Sequence, residues 1–260
     1  MRFVTYNVNS ISARLSRLLV LLDELAPDIV CVQETKAAAD KFPHLPLLAA
    51  GYAAADFSAG RWNGVAILAR SQLGLHDVRH GLAGEIAADE ARWIEATIDG
   101  ICVVSAYVPN GQAIGSEPFV QKLAFLDAMR ERAAELVGGP TIIAGDLNVC
   151  PTDLDVWDPA QIHGATHITT EERSRLAATM ELGFVDAYRS IYPDEPGFTW
   201  WDYRFGAFHK GQGLRIDHVL VSQPLGSRLR SARIERDFRK PSKVPDSKPS
   251  DHAPLVVDFD

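Results

Sequence analysis

The chain has 260 residues, of which 47% are hydrophobic, and a formal net charge of −8. That apolar content fits one large domain or two tightly fused halves, and no run approaches the roughly 20 apolar residues needed to cross a bilayer. The acidic balance argues at first sight against a nucleic-acid partner, but net charge describes the whole surface and leaves room for a locally positive face.

Met1 to Tyr6 reads as a strand, with neither the apolar region nor the cleavage site of a signal peptide. Leu15, Leu18, Leu19, Leu22 and Leu25 recur at helical spacing, and Pro27 stands where that helix must already have stopped. Apolar runs predict strands at residues 30–32, 64–68, 93–98 and 101–104. Ser116 can cap a helix carrying Leu123, Phe125, Leu126 and Met129, and a strand over 141–144 follows. Thr169 and Glu172 form a capping box ahead of Leu176 and Met180, with Gly183 beyond the end. Strands over 216–221 and 254–257 complete the pattern. Between them Arg228, Arg230, Arg233, Arg236, Arg239, Lys240, Lys243 and Lys248 form a basic cluster. It reads as a solvated loop and edge strand at least as readily as a phosphate-binding face.

Cys31, Cys102 and Cys150 are odd in number, widely spaced and embedded in apolar runs, which predicts reduced core thiols and a cytoplasmic protein. No linker or low-complexity segment divides residues 1–260, so a single domain is expected. Mixed strands with helices outside them predict an α/β fold, a four-layer α/β sandwich of two mixed β-sheets packed face to face and flanked by helices. Nothing suggests a helical or strand-edge interface, so a monomer is the default.

The chemistry lies in polar residues at strand ends, where scaffolds present functional groups. Asn7 and Asn9 follow the first strand, Gln33-Glu34 the second, and Tyr107-Val108-Pro109-Asn110-Gly111 a third. Asp146 and Asn148 follow a fourth, and Ser250-Asp251-His252 precedes the last. Singly each has a dull explanation, since Asn and Asp favour turns. As a set they offer carboxylates and amides, a histidine with acidic partners, and a tyrosine. Hard oxygen ligands of this kind suit magnesium and phosphoryl chemistry. No two histidines or cysteines have zinc-ligand spacing on one element, and no Gly-Lys-Ser/Thr phosphate loop is present.

Taken in order with Trp62-Asn63-Gly64, Gly145-Asp146-Leu147-Asn148 and Arg215-Ile216-Asp217-His218, these segments resemble exonuclease III. That family is the DNA-repair branch of the endonuclease/exonuclease/phosphatase superfamily. The resemblance runs from Asn7 to His252; Thr199-Trp200-Trp201-Asp202-Tyr203-Arg204 is its segment most specific to the repair branch. It implies the same four-layer sandwich and a nuclease dependent on Mg2+, with Mn2+ as a substitute. The implied substrate is double-stranded DNA with abasic sites or blocked 3′ ends.

By position, the resemblance makes Glu34 the principal metal ligand, helped by Asn7 and Asp251. Asp146 would orient or deprotonate the attacking water and Asn148 would position it. His252, paired with Asp217, would bind the scissile phosphate, with Tyr107 and Asn110 also in contact and Asn9 among the substrate-binding residues. Trp200, Leu214 and Ile216 would form an apolar pocket for the extrahelical abasic sugar; without the resemblance, Trp200 and Ile216 read simply as core. Ser12 stands where many relatives carry arginine, and His167 falls in a loop that faces DNA in relatives; it reads first as an ordinary solvated loop residue, and the alternative is that its bulk tunes endonuclease action against 3′-end trimming. Two alternatives stand beside this reading. One is a phosphoesterase of the same superfamily acting on inositol phosphates, sphingomyelin or RNA, which would not need the 199–204 segment. The other is a DNA-binding module that has lost catalysis, against which every expected position is filled.

Overall fold

In this computed structural model, which describes residues 1–260, twelve strands form two mixed six-stranded sheets. In chain order they are β1 (Arg2–Asn7), β2 (Ile29–Gln33), β3 (Tyr52–Phe57), β4 (Val65–Arg70), β5 (His76–His80) and β6 (Trp93–Ile98). Then follow β7 (Ile101–Tyr107), β8 (Thr141–Asp146), β9 (Phe184–Asp186), β10 (Asp217–Ser222), β11 (Leu229–Ile234) and β12 (Leu255–Phe259). The first sheet has the order β11-β12-β1-β2-β4-β3 and the second β5-β6-β7-β8-β10-β9.

The inner strands are buried on both faces and therefore read as continuous apolar runs. In β2, Ile29 and Cys31 join the core between the sheets, while Val30 and Val32 face outward beneath α1 (Ile11–Leu25). Leu18, Leu21 and Leu22 of α1 cover that outer face; Leu15, Leu19 and Leu25, part of the predicted stripe, pack at its margin. After the short α2 (His44–Ala49), α3 (Glu117–Leu136) and α4 (Thr170–Glu181) cover the second sheet through Phe125, Leu126, Met129 and Leu176. Each fully buried Leu or Phe removed from water contributes about 1.5–3 kcal/mol. Both predicted helix caps form: Ser116 Oγ accepts from Phe119 N–H at 3.4 Å, and Thr169 and Glu172 make a reciprocal capping box. The layers run helix, sheet, sheet, helix, as the sequence predicts.

All eight strands expected from apolar runs are present, and the four additional ones, β3, β5, β9 and β11, are the four sheet edges. Edge strands carry charge and expose a face, so the apolar signal is missing; β5 is exposed along its whole length. The basic cluster resolves largely into local pairing. Arg233 bridges Glu235 and Asp258, Arg230 lies 3.7 Å from Asp260, and Arg236 and Arg239 stack over Phe208. All three cysteines are free; Cys31 and Cys150 are buried and Cys102 is half-buried.

The pairing directions explain where function gathers. β1 and β2 run parallel, as do β7 and β8, so each pair ends on the same side. The registers set Asn7 beside Gln33 and Tyr107 beside Asp146. Antiparallel β10 begins where β8 ends and sets Asp217 opposite Asp146. Gly145 allows the close approach of β7 to β8: with φ +146°, a Cβ there would lie 1.9 Å from the Ala106 carbonyl oxygen. Between the sheets Gln33 Nε2 donates to Ser105 Oγ at 3.0 Å, tying the two central strand pairs together directly below the polar edge.

Candidate active site

At that edge the strand ends of both sheets surround a cavity of about 190 Å³, lined by Glu34, Tyr107, Asn110, Asp146, Asn148, His167, Trp200, Ile216, Asp251 and His252. The sheets contribute from opposite sides, so no single stretch of chain contains the site.

Asn7 is fully buried between the two central carboxylates. Its Nδ2 donates to Glu34 Oε1 at 2.8 Å and to Asp146 Oδ2 at 2.9 Å. The second Glu34 oxygen pairs with Lys36 Nζ at 2.7 Å, and the same ammonium donates to Asn9 Oδ1 at 2.7 Å. Asn9 Nδ2 in turn donates to Asp251 Oδ1 at 3.0 Å, while Trp200 Nε1 donates to Asp251 Oδ2 at 3.1 Å. Glu34 and Asn148 hold positive φ of 51° each, backbone conformations that cost energy and cluster at functional sites.

His252 is enclosed by acids. Its Nδ1–H donates to Asp217 Oδ2 at 2.8 Å, and its Nε2 lies 3.8 Å from Asp146 Oδ2. Burial works against the imidazolium, but Asp217, Asp146 and Asp251 together outweigh it and push the imidazole up to about 10. Asp146 moves the opposite way from an ordinary carboxylate. Burial, reinforced by Asp217 and Glu34 and opposed by His252, pushes its carboxyl up to about 8. Burial, then Glu34 and Asp146, also hold the Tyr107 phenol well above its usual range, so it is a hydrogen-bond donor at neutral pH.

These shifts bear on cation binding. Four carboxylates (Glu34, Asp146, Asp217 and Asp251) converge, and the cations among them are Lys36 and His252. Ligand atoms of Glu34, Asp146 and His252 lie within 4.8 Å of one another. A surplus of negative charge, hard oxygen donors and an open cavity fit a divalent cation of the magnesium type.

Nine of the thirteen sequence-predicted site residues line this cavity. Asn7, Asn9 and Asp217 stand just behind the lining and hold residues that do line it. Leu214 is recessed in an apolar cluster with Ile216, Cys150 and Val156, and pairs with Trp200 through the backbone. The resemblance to exonuclease III takes in Lys36, within the segment Gln33-Glu34-Thr35-Lys36, but gives it no role. The prediction missed Lys122, a fully buried ammonium that donates to the Asn148 carbonyl at 2.6 Å, and the buried ion-pair group of Arg215 with Asp155 and Asp186 below the pocket. Ser12 is exposed, whereas Arg14 reaches Tyr203 Oη at 3.0 Å and the Asn9 carbonyl.

Residues 4–252 match the Endonuclease/Exonuclease/phosphatase family. The chain is 30% identical to exodeoxyribonuclease III of Haemophilus influenzae, with 100% of both chains covered. Among solved structures it is similar to the 3′ phosphatase NExo from Neisseria bound to a product DNA hairpin, at 35% identity and a TM-score of 0.94 over 100% of this chain and 99% of that one. An AP endonuclease from Archaeoglobus fulgidus gives 36% identity and a TM-score of 0.94 over the same shares. The converged strand ends and the end-to-end likeness agree: this chain belongs to the Endonuclease/Exonuclease/phosphatase family, in its exonuclease III branch.

Proposed function

We propose that this protein is a DNA-repair nuclease that incises duplex DNA on the 5′ side of abasic sites and processes 3′ ends, using Mg2+ with Mn2+ as a substitute. The observation that carries the reading is the cavity itself: Glu34, Asp146, Asn148 and His252 meet the apolar Trp200 and Ile216 in one space. At about 190 Å³ it is smaller than the roughly 300–1,000 Å³ typical of pockets for drug-sized ligands. That size suits a sugar without its base. An abasic nucleotide also costs less to extrude, having lost pairing and stacking.

Glu34 would hold the cation, with Asp251 helping through water; Asn7, whose Nδ2 faces Glu34 and Asp146 while its Oδ1 accepts the Asn9 N–H at 3.0 Å, would orient the carboxylates rather than ligate. When bound, the cation supplies positive charge to the phosphate oxygens and to the departing 3′ oxygen. The chain's own residues do the rest. His252, kept charged by Asp217, presents its Nε2–H to a non-bridging phosphate oxygen. The Tyr107 phenol and the Asn110 amide donate to the same group. Asp146, ionised when the site holds its cation and fixed by Asn7 Nδ2 and by the Asn148 N–H at 3.1 Å, takes the proton of the attacking water. Asn148 Nδ2 is committed to the Val108 carbonyl at 2.9 Å, and its Oδ1, which accepts from Asn110 Nδ2 at 3.4 Å, keeps a second lone pair to orient that water. Water adds to phosphorus, the bond to the 3′ oxygen breaks, that oxygen takes a proton from solvent, and a 3′ hydroxyl and 5′ phosphate result. We take the protein to be a single cytoplasmic domain acting as a monomer, a location that suits its three free thiols.

A second reading, 3′-end processing with little abasic incision, is favoured by His167. It lines the same cavity, held by Nδ1 against the Asn148 carbonyl at 2.6 Å, and its ring there would narrow the path for a continuing strand. An end-labelled duplex with one central abasic analogue, and a second with a recessed 3′ end, separate the readings. Metal-dependent incision at the abasic position, lost in Glu34→Ala, supports the first. Shortening of the recessed strand alone supports the second. Neither activity in either metal would refute both.

A further inference from the structure

We propose that Lys122, acting with Glu172, is a positioning residue of the active site, which it serves without touching substrate. This rests on the phosphodiesterase reading above. Lys122 projects from α3 and Glu172 from the first turn of α4; both side chains are fully buried and form an ion pair. The ammonium, with three protons to share, also lies within hydrogen-bond reach of the carbonyl oxygens of Asn148 at 2.6 Å and Asn110 at 3.2 Å and of Thr166 Oγ1 at 3.1 Å. Glu172 accepts from Thr166 Oγ1 at 2.7 Å and from the His167 N–H at 2.9 Å. One buried pair thus joins the loop after β7, the loop after β8 and the 162–169 segment. These carry Asn110, Asn148 and His167, three of the residues that line the cavity.

Two arguments separate positioning from simple stabilisation. A capping box satisfies the start of α4 without a lysine, and a buried ion pair is on average no more stabilising than apolar side chains of similar volume. The charge is explained by what it holds. Asn148 has φ +51° and His167 φ +79°, conformations that persist only where the surroundings impose them. Gly111, beside Asn110, packs on the lysine stem so closely that a Cβ would lie 3.0 Å from Lys122 Cδ and from Thr166 Oγ1.

Lys122→Met alone strands a buried carboxylate, so the decisive variant is Lys122→Met with Glu172→Gln, which keeps a capping side chain. Thr166→Val, which leaves both charges in place, is a milder probe of the same network. Leu126→Ala, a core truncation on the same helix, controls for lost stability. Well below the unfolding temperature, the double variant is expected to lose kcat on the abasic duplex by roughly 10–100-fold, with KM changed only a few-fold. Hydrogen exchange over 147–151 and 163–169 should quicken, and Thr166→Val should show both effects in weaker form. Leu126→Ala should melt earlier but keep kcat and loop protection. Unchanged kcat, or unchanged exchange in those loops, overturns the proposal. Failure of the wild type to cleave either DNA overturns the phosphodiesterase reading instead, and the exchange measurement still decides whether the pair holds the loops.

Discussion

Replacing Asp146 by asparagine tests the electrostatics of the site with neither metal nor substrate present. In the folded protein this carboxyl titrates at about 8, chiefly through burial; in the unfolded chain it titrates at about 3.9. Between pH 6 and 8 the folded state therefore holds a proton that the unfolded state has lost. Stability is then present at low pH and falls as pH rises toward 8, with a limiting slope of about 1.4 kcal/mol per pH unit per proton. Allowing for half-titration at the upper end, the loss over this interval is about 2 kcal/mol. For a chain of this size that corresponds to roughly 4–8 °C in Tm. His252, raised to about 10, acts in the same direction: its stabilisation is complete below about 6.5 and is lost as pH climbs through 10. Thermal unfolding in chelator at pH 6 and pH 8 should show the wild type losing stability and Asp146→Asn, which keeps the His252 contribution, losing about half as much. A divalent cation requires ionised ligands, so it should stabilise the wild type more at pH 8 than at pH 6. A chelated wild type equally stable at both values, or a variant with the same slope, would refute the argument.

Glu34→Gln should weaken divalent-cation binding by about tenfold or more, read as loss of the cation-induced rise in Tm, because it removes a carboxylate from the central cluster. Gly145→Ala places a Cβ 1.9 Å from the Ala106 carbonyl and should cost about 4 kcal/mol or more, seen as a large fall in Tm or in soluble yield. His167→Gly removes an imidazole that burial and the nearby Lys122 hold neutral, at about 4. It should raise abasic incision relative to 3′-end trimming at neutral pH, and an unchanged ratio on the two labelled duplexes would exclude a gating role.

The place of the site was legible because its residues break local rules, while the role of each came only from the resemblance to exonuclease III. Asn7, Glu34, Asp146 and Asp251 adjoin strands whose other members are apolar, and polar groups in such places need a reason. The supporting residues were not legible. Lys36 reads as an ordinary surface lysine until it is seen bridging Glu34 and Asn9. Lys122 sits among helix formers, where a lysine is usually solvated, and in the sequence Glu172 reads only as a cap. Burial converts both into parts of the site, and burial belongs to the packed structure.

The sequence by itself determined the layers. Continuous apolar runs marked the eight inner strands, helical periodicity and caps marked α1, α3 and α4, and the motif order pointed to the family. Only the tertiary structure decided the edges and the meeting of the two halves of the site. Edge strands β3, β5, β9 and β11 bury too little apolar surface to leave a periodic trace. Glu34 and His252 stand 218 positions apart in the chain, yet the parallel ends of β1 with β2 and of β7 with β8 bring their side chains within 4.8 Å through Asp146. Charges placed so closely alter one another's protonation: Asp146 and His252 owe their shifted states to burial and to neighbours that no local stretch of sequence contains.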